Sequence, residues 1–361
     1  MKFAKNIASH IQVPHGGPYS IKNPDPKILD FSSNVNPLGF PSPIKKSLKN
    51  WMAKIPVYPD HTSTKLKRRL AKYVNASHDN LVVGNGATEI IYNFCRATIN
   101  KNTPVLIPIP TFGEYEAATR LCGGKPQFFK TMNLEEDLAK FVKKIPKNGI
   151  IFVCNPNNPT GTLISEQSML KMVKTAKSKN TIVFVDECFM EMVQNPQSII
   201  GKIQGFENIF VLRSLTKSFG LAGLRVGYGV GNKKLVCILN KIKIPWNISG
   251  IAEEAAHVAL SDKGFLAKTR KLVKTESDFL RSSISKLDGF SCSGTSANFI
   301  LIKTKTNSKL LQKQLLQKKI LIRDCSTFRG LGSNHIRIAV RTRRENLKLL
   351  KALERDRKSV V

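Results

Sequence analysis

The chain has 361 residues, with 58 Lys+Arg against 25 Asp+Glu, 6 His and a formal net charge of +33. At about 100–200 residues per domain this length predicts about two domains with ample core. A hydrophobic fraction of 41% excludes wholesale disorder, and no apolar run approaches the roughly 18 residues of a membrane span.

The start, MKFAKNIASHIQ, lacks the apolar stretch of a secretory signal. Residues 1–44, rich in Pro, Gly and Asn, read as an extended arm lying over the body. KLKRRLAK (65–72) reads as a solvated helical face. LVVGNGATEIIYNF (81–94) runs strand, glycine turn, helix. VLIPIP (105–110), IIFVC (150–154), TIVFVD (181–186), NIFVLR (208–213) and RVGYGV (225–230) read as strands, with a helix pattern over 165–179. Such near-continuous apolar runs predict strands covered on both faces, hence an α/β fold with a mostly parallel sheet. FILI (299–302), a Leu-rich helix, ILIR (320–323), HIRIAV (335–340) and a final helix predict a smaller α+β unit. The expected organisation is an arm (1–44) contributing to the small domain and the site, a large domain (45–255) and a small domain (256–361). The tail from Arg355 onward is expected to fray.

Seven cysteines are widely scattered without C-x-x-C spacing, which argues against a disulfide framework or a metal site and for reduced thiols in a cytoplasmic protein. Residues 303–361 hold 17 Lys/Arg against 4 Asp/Glu. Their spacing is that of an amphipathic helix, with Leu311 and Leu315 on one side and Lys309, Lys313 and Lys318 elsewhere. No recognition helix, zinc finger or stacking-aromatic signature accompanies the charge. Attraction of an anionic substrate, or solubility, accounts for it better than nucleic acid.

Four clusters fall at carboxyl ends of predicted strands, where open α/β sheets bind ligands. Gly84 and Gly86 allow a tight turn, and the amides of Ala87 and Thr88 open a helix that could hold a phosphate; a plain turn explains them equally. In CNPNNPTG (154–161), Asn158 could project an amide into the crevice, or the segment could be only a rigid turn. Asp186 ends an apolar run, where a lone carboxylate is costly, so a cationic partner is implied, a cap or internal salt bridge being the ordinary alternative. In RSLTKSFGLAGLRVGY (213–228), Ser214, Thr216 and Arg225 offer an anion cradle around Lys217, which suits Schiff-base chemistry.

Together these clusters resemble fold-type I pyridoxal-phosphate (PLP) enzymes of the aminotransferase class. The resemblance implies that Lys217 joins the cofactor aldehyde and Asp186 pairs with the pyridine N–H. It also implies that Asn158 faces the ring hydroxyl, Phe112 of PTFGEY stacks on the ring, and Gly86, Ala87, Thr88, Ser214, Thr216 and Arg225 cradle the phosphate. Tyr58 of VYPD is similar to the tyrosine that reaches a neighbouring subunit's cofactor, implying a homodimer. Phe189 stands where these aminotransferases usually carry a tyrosine, which removes one hydrogen bond to the ring oxygen.

Within the class, PHGG (14–17), LDFSSNVNPLG (29–39), PWNIS (245–249) and LIRDCSTFRGL (321–331) resemble the L-threonine-O-3-phosphate decarboxylases of the cobalamin pathway. Histidinol-phosphate aminotransferases are the near alternative, and a basic nucleic-acid binder on the same fold the distant one. The decarboxylase resemblance implies substrate contacts from His15, Gly16, Asn34, Asn158, Arg323 and Arg337. Arg337 could instead be a solvated strand position, and Arg323 a surface partner of Asp324.

Overall fold

Alternate residues of the central strands serve two different cores, so each strand must be apolar on both faces. In β5 (Ile150–Cys154), Ile151 and Val153 join one buried cluster, and Ile150, Phe152 and Cys154 the other. The computed structural model describes residues 5–262 and 264–357. Of the expected frayed tail, residues 358–361 lie outside the described residues.

In chain order the other strands are β1 (Leu29–Asp30), β2 (Leu81–Asn85), β3 (Pro104–Ile109), β4 (Lys125–Lys130), β6 (Ile182–Asp186), β7 (Ile209–Ser214), β8 (Val226–Gly231), β9 (Phe290–Cys292), β10 (Phe299–Thr304), β11 (Ile320–Leu321), β12 (Arg323–Asp324) and β13 (His335–Ala339). A seven-stranded sheet runs β2-β8-β7-β6-β5-β3-β4. Its β4-β3-β5-β6-β7 ladders are parallel, while β8 is antiparallel to both β2 and β7. One face packs against helices Thr64–Val74, Glu166–Ser178 and Gly250–Ala259, the other against Gly86–Thr98, Glu114–Leu121 and Lys233–Ile242. Strand β4 (KPQFFK) escapes the sequence pattern because it is a half-exposed edge, where Pro126 is tolerated.

The smaller sheet, β12-β13-β10-β9, is antiparallel and packs on helices Phe265–Ile284, Ser308–Gln317 and Arg343–Arg357. Leu311 and Leu315 are buried while Lys309, Lys313 and Lys318 are exposed. The boundary expected between 255 and 256 falls inside helix Gly250–Ala259. The arm ties into the smaller unit: β1 pairs in parallel with β11, and Ala339 N donates to Phe31 O at 2.7 Å.

Candidate active site

A cavity of about 1130 Å³ opens beyond the carboxyl ends of the large sheet, between arm residues 9–16 and the loop after β12. Lys217, Asp186, Asn158, Ala87, Thr88, Phe112, Ser214, Thr216, Arg225, His15, Gly16, Asn34, Arg323 and Arg337 all line it. Residues spread over three hundred positions meet here because strands β5, β6 and β7 end side by side.

Asp186, the last residue of β6, is 5% exposed. Tyr115 Oη donates to its Oδ2 at 2.6 Å and Cys188 N to its Oδ1 at 2.9 Å. Burial pushes this carboxyl up, against the hydrogen bonds that lower it. The cationic partner expected for it is not a side chain: among the described residues Asp186 has no ion pair, only these neutral donors. A protonated ring nitrogen of a bound cofactor would supply the missing charge. Lys217 sits in the turn of helix Leu215–Ser218 directly after β7. Burial, then the positive charges of Arg337 and Arg225, lowers its amine to about 8.

The anion cup is assembled by close backbone approach. Gly86, at φ 77°, opens helix Gly86–Thr98, and a Cβ there would lie 2.3 Å from Arg225 Nη2. A Cβ at Gly227 of β8 would lie 2.6 Å from Ala87 N. Ser214 and Thr216 hydroxyls stand 2.6 Å apart, and Arg225 has no acidic partner among the described residues. The helix N-terminus and this guanidinium favour a phosphate. An amine, a carboxylate lacking a counter-charge and an anion cup in one cavity fit pyridoxal phosphate.

Asn158 sits in a turn braced by a reciprocal pair, Asn155 Nδ2 to Ile164 O at 3.1 Å and Ile164 N to Asn155 Oδ1 at 2.8 Å. Its own Oδ1 accepts from Arg337 Nη1, which leaves the amide NH₂ as its donor group. Arg337 is buried rather than solvated, at 6% exposure on β13. Its Nη2 donates to Ser32 O at 2.8 Å, its Nε has no partner, and its guanidinium lies 5.3 Å from the Phe299 ring. Burial lowers it to about 10. Arg323 is its cross-strand neighbour in β12 and bonds to Pro14 O and Thr327 Oγ1. The surface pair with Asp324 does not form, because Asp324 accepts from Ser308 and Ser326 instead. Phe189, 6% exposed, packs edge-on against Phe299 at 5.0 Å, so an apolar stack stands behind Arg337.

His15 Nε2 lies 2.7 Å from Glu114 Oε1, and its ring is 6.1 Å from Phe112. Gly16 is pressed on Ser32, whose carbonyl would lie 2.8 Å from a Cβ. Buried Asn34 leaves its Oδ1 without a partner. Tyr58 is not brought to the cavity of its own chain: it is 80% exposed, its ring 5.0 Å from Trp246. Sequence reasoning missed Tyr115 and Glu114; both lie in the PTFGEY segment, three and two residues after Phe112, but nothing local marks their partners.

No helix among the described residues is long and apolar enough to cross a membrane, and no group of three His, Cys, Asp or Glu could hold a metal ion.

Residues 26–353 match the family model of aminotransferases of class I and II. The chain is 37% identical over 330 residues to a provisionally named threonine-phosphate decarboxylase of Caldanaerobacter subterraneus subsp. tengcongensis, covering 89% of this chain and 88% of that one. It is 35% identical over 331 residues to the histidinol-phosphate aminotransferase of Moorella thermoacetica, covering 90% and 84%. Among solved structures it is similar to L-threonine-O-3-phosphate decarboxylase from Porphyromonas gingivalis (TM-score 0.84, 28% identity, 92% and 100% covered). It is as similar to histidinol-phosphate aminotransferase from Clostridium acetobutylicum (TM-score 0.85, 30% identity, 92% and 100% covered). The family match and the likeness in fold agree, and the chain belongs to the class I and II aminotransferase family of fold-type I, PLP-dependent enzymes.

Proposed function

We propose that the chain is a carboxy-lyase that converts L-threonine O-3-phosphate to (R)-1-aminopropan-2-yl phosphate and CO₂ in cobalamin biosynthesis. The observation that carries this reading is Arg337, a buried guanidinium with no acidic partner among the described residues, beside Arg323, which is half-buried and forms no ion pair among the described residues. Two uncompensated guanidinium groups in one cavity suit a substrate with two anionic groups, a phosphate and a carboxylate, each able to accept bidentate bonds.

When bound, pyridoxal phosphate draws electrons from whichever Cα bond stands perpendicular to its ring. The residues of this chain therefore choose the reaction by orientation. Arg323 and Arg337, with His15, Gly16 and Asn34, would hold the two anions of the substrate, and the orientation they impose on its carboxylate would favour loss of CO₂ over loss of a proton. Asp186 keeps a proton on the ring nitrogen, Asn158 and Phe112 fix the ring, and Gly86, Ala87, Thr88, Ser214, Thr216 and Arg225 hold its phosphate. Lys217 is the covalent anchor. Its Nζ, whose proton affinity burial and the Arg337 charge lower, would deliver the one proton that Cα needs once CO₂ has left.

The Phe189–Phe299–Arg337 stack supports a departure from ordinary transamination, since it replaces a hydroxyl with apolar packing. Histidinol-phosphate transamination is the second reading, favoured by the similarity to the Moorella and Clostridium proteins. Incubation of purified protein with threonine phosphate, assaying CO₂ and amine, tests the first. Turnover of histidinol phosphate with 2-oxoglutarate, without CO₂ release from threonine phosphate, establishes the second. A cytoplasmic homodimer completes the reading. Tyr58 and Trp246 pack against each other at a tilt on a surface that also exposes Ile55, Val57 and Ile244, an apolar patch suited to a second copy.

A further inference from the structure

Arm residues 6–16 are fastened along a single helix, Glu114–Leu121. Asn6 Nδ2 donates to Leu121 O at its far end. Val13 fills the space above Gly113, where a Cβ would lie 2.9 Å from Val13 Cγ1. His15 Nε2 meets Glu114 Oε1 at 2.7 Å. The Glu114 side chain is only 6% exposed, against 56% for His15, and its second oxygen accepts from Tyr92 Oη at 2.6 Å. Burial alone would raise this carboxyl, but the bonds from His15 and Tyr92 hold it below its ordinary value. His15 lines the cavity and Glu114 does not.

A carboxylate only accepts hydrogen bonds, so the ring nitrogen facing it must carry its proton. That fixes Nε2–H on His15 and leaves Nδ1 as the uncommitted nitrogen. A phosphate oxygen beside Nδ1 requires a second N–H there, and the resulting imidazolium has a buried counter-charge behind it in Glu114. We propose that Glu114 is a positioning residue that holds His15 as a donor to the substrate phosphate, so that preference for a phosphorylated amino acid depends on a carboxylate that never touches substrate. This rests on the phosphate-bearing substrate proposed above. A glutamine at 114 could accept from or donate to the ring, and would leave both tautomers open.

The holoenzyme, its Glu114→Gln and His15→Ala variants and the double variant are titrated calorimetrically with O-phospho-L-threonine and with L-threonine. Glu114→Gln is expected to weaken O-phospho-L-threonine by about tenfold, the scale of one charged hydrogen bond, while L-threonine changes by less than about twofold. In the His15→Ala background, Glu114→Gln is expected to add nothing. Equal weakening of both ligands, or additive losses, overturns the proposal. A second measurement needs no variant: ¹⁵N shifts of labelled histidine in the wild-type protein should show Nε2 protonated at His15, and an unprotonated Nε2 overturns the proposal as well. If wild type neither binds nor turns over O-phospho-L-threonine, the functional reading and this inference fall together. If wild type binds it and Glu114→Gln binds it equally, this inference alone falls.

Discussion

Two arginines of this chain are buried to nearly the same degree and surrounded in opposite ways. Arg213, on β7, is 6% exposed and meets Glu187 Oε2 through Nε at 2.9 Å and Nη2 at 2.7 Å, with Glu191 3.5 Å from Nη1. Although burial opposes its charge, the carboxylates of Glu187 and Glu191 raise its proton affinity. Arg337, also 6% exposed, has only the amide oxygen of Asn158 and the carbonyl of Ser32, and burial lowers it to about 10. Leaving a guanidinium dry without a counter-charge costs several kcal/mol. The protein closes that account internally at Arg213 and leaves it open at Arg337, on the wall of a cavity. Under the proposed function, a buried cation without an acid is where a substrate anion would bind, whereas complete pairing at Arg213 fits a structural role.

The contrast between Arg213 and Arg337, and with it the proposed cofactor site, can be broken in order of expected effect. Lys217→Ala should abolish turnover and remove the pyridoxyl tag left by borohydride reduction, while the melting temperature stays close to wild type, because no core contact is lost. Asp186→Asn should lower kcat by roughly two to three orders of magnitude, the scale of losing one preorganised electrostatic partner; retained activity would refute its assigned role. Arg213→Gln should cost about 3–5 kcal/mol of stability in denaturant titration, since it strands buried Glu187. Arg337→Gln should instead raise KM for a dianionic substrate by about 10–100-fold with little loss of stability. That variant also carries a pH consequence. The Arg337 charge is the second cause, after burial, that holds the Lys217 amine down at about 8. Removing a nearby cation favours the protonated amine, so the midpoint for recombination of apoprotein with PLP should move to higher pH, read from the rate of cofactor absorbance recovery. A midpoint that stays or falls contradicts the proximity of the two groups. On the solvated face, Lys313→Gln should change stability by less than about 0.5 kcal/mol.

The proposed cofactor half of the site was legible because its parts are local. Asn158, Asp186 and Lys217 each follow an apolar strand by zero to a few residues, and strand-end turns need Gly, Pro and hydroxyl residues whatever the rest of the chain does. The anion wall was less legible. Arg337 in IRIAVR carries no mark that distinguishes a buried position from a solvated one, and the pairing of β12 with β13 decides it. The neutral partners of Asp186 were invisible for a related reason: Tyr115 lies 71 positions away and reaches it from a helix on the same face. Polar edge strand β4 hid for want of periodicity, and the antiparallel sense of β8 leaves no trace in its own residues.

From residue order alone came the α/β class, the strand-end turns and the lysine, aspartate and asparagine that equip them, since each depends on backbone preferences spanning a few residues. Which arginine is neutralised and which faces the cavity, how the arm is tied to Glu114, and why Asp186 lacks a cation were decided only when distant segments packed together. Burial and charge pairing are properties of the space around a group, and that space exists only in the folded chain.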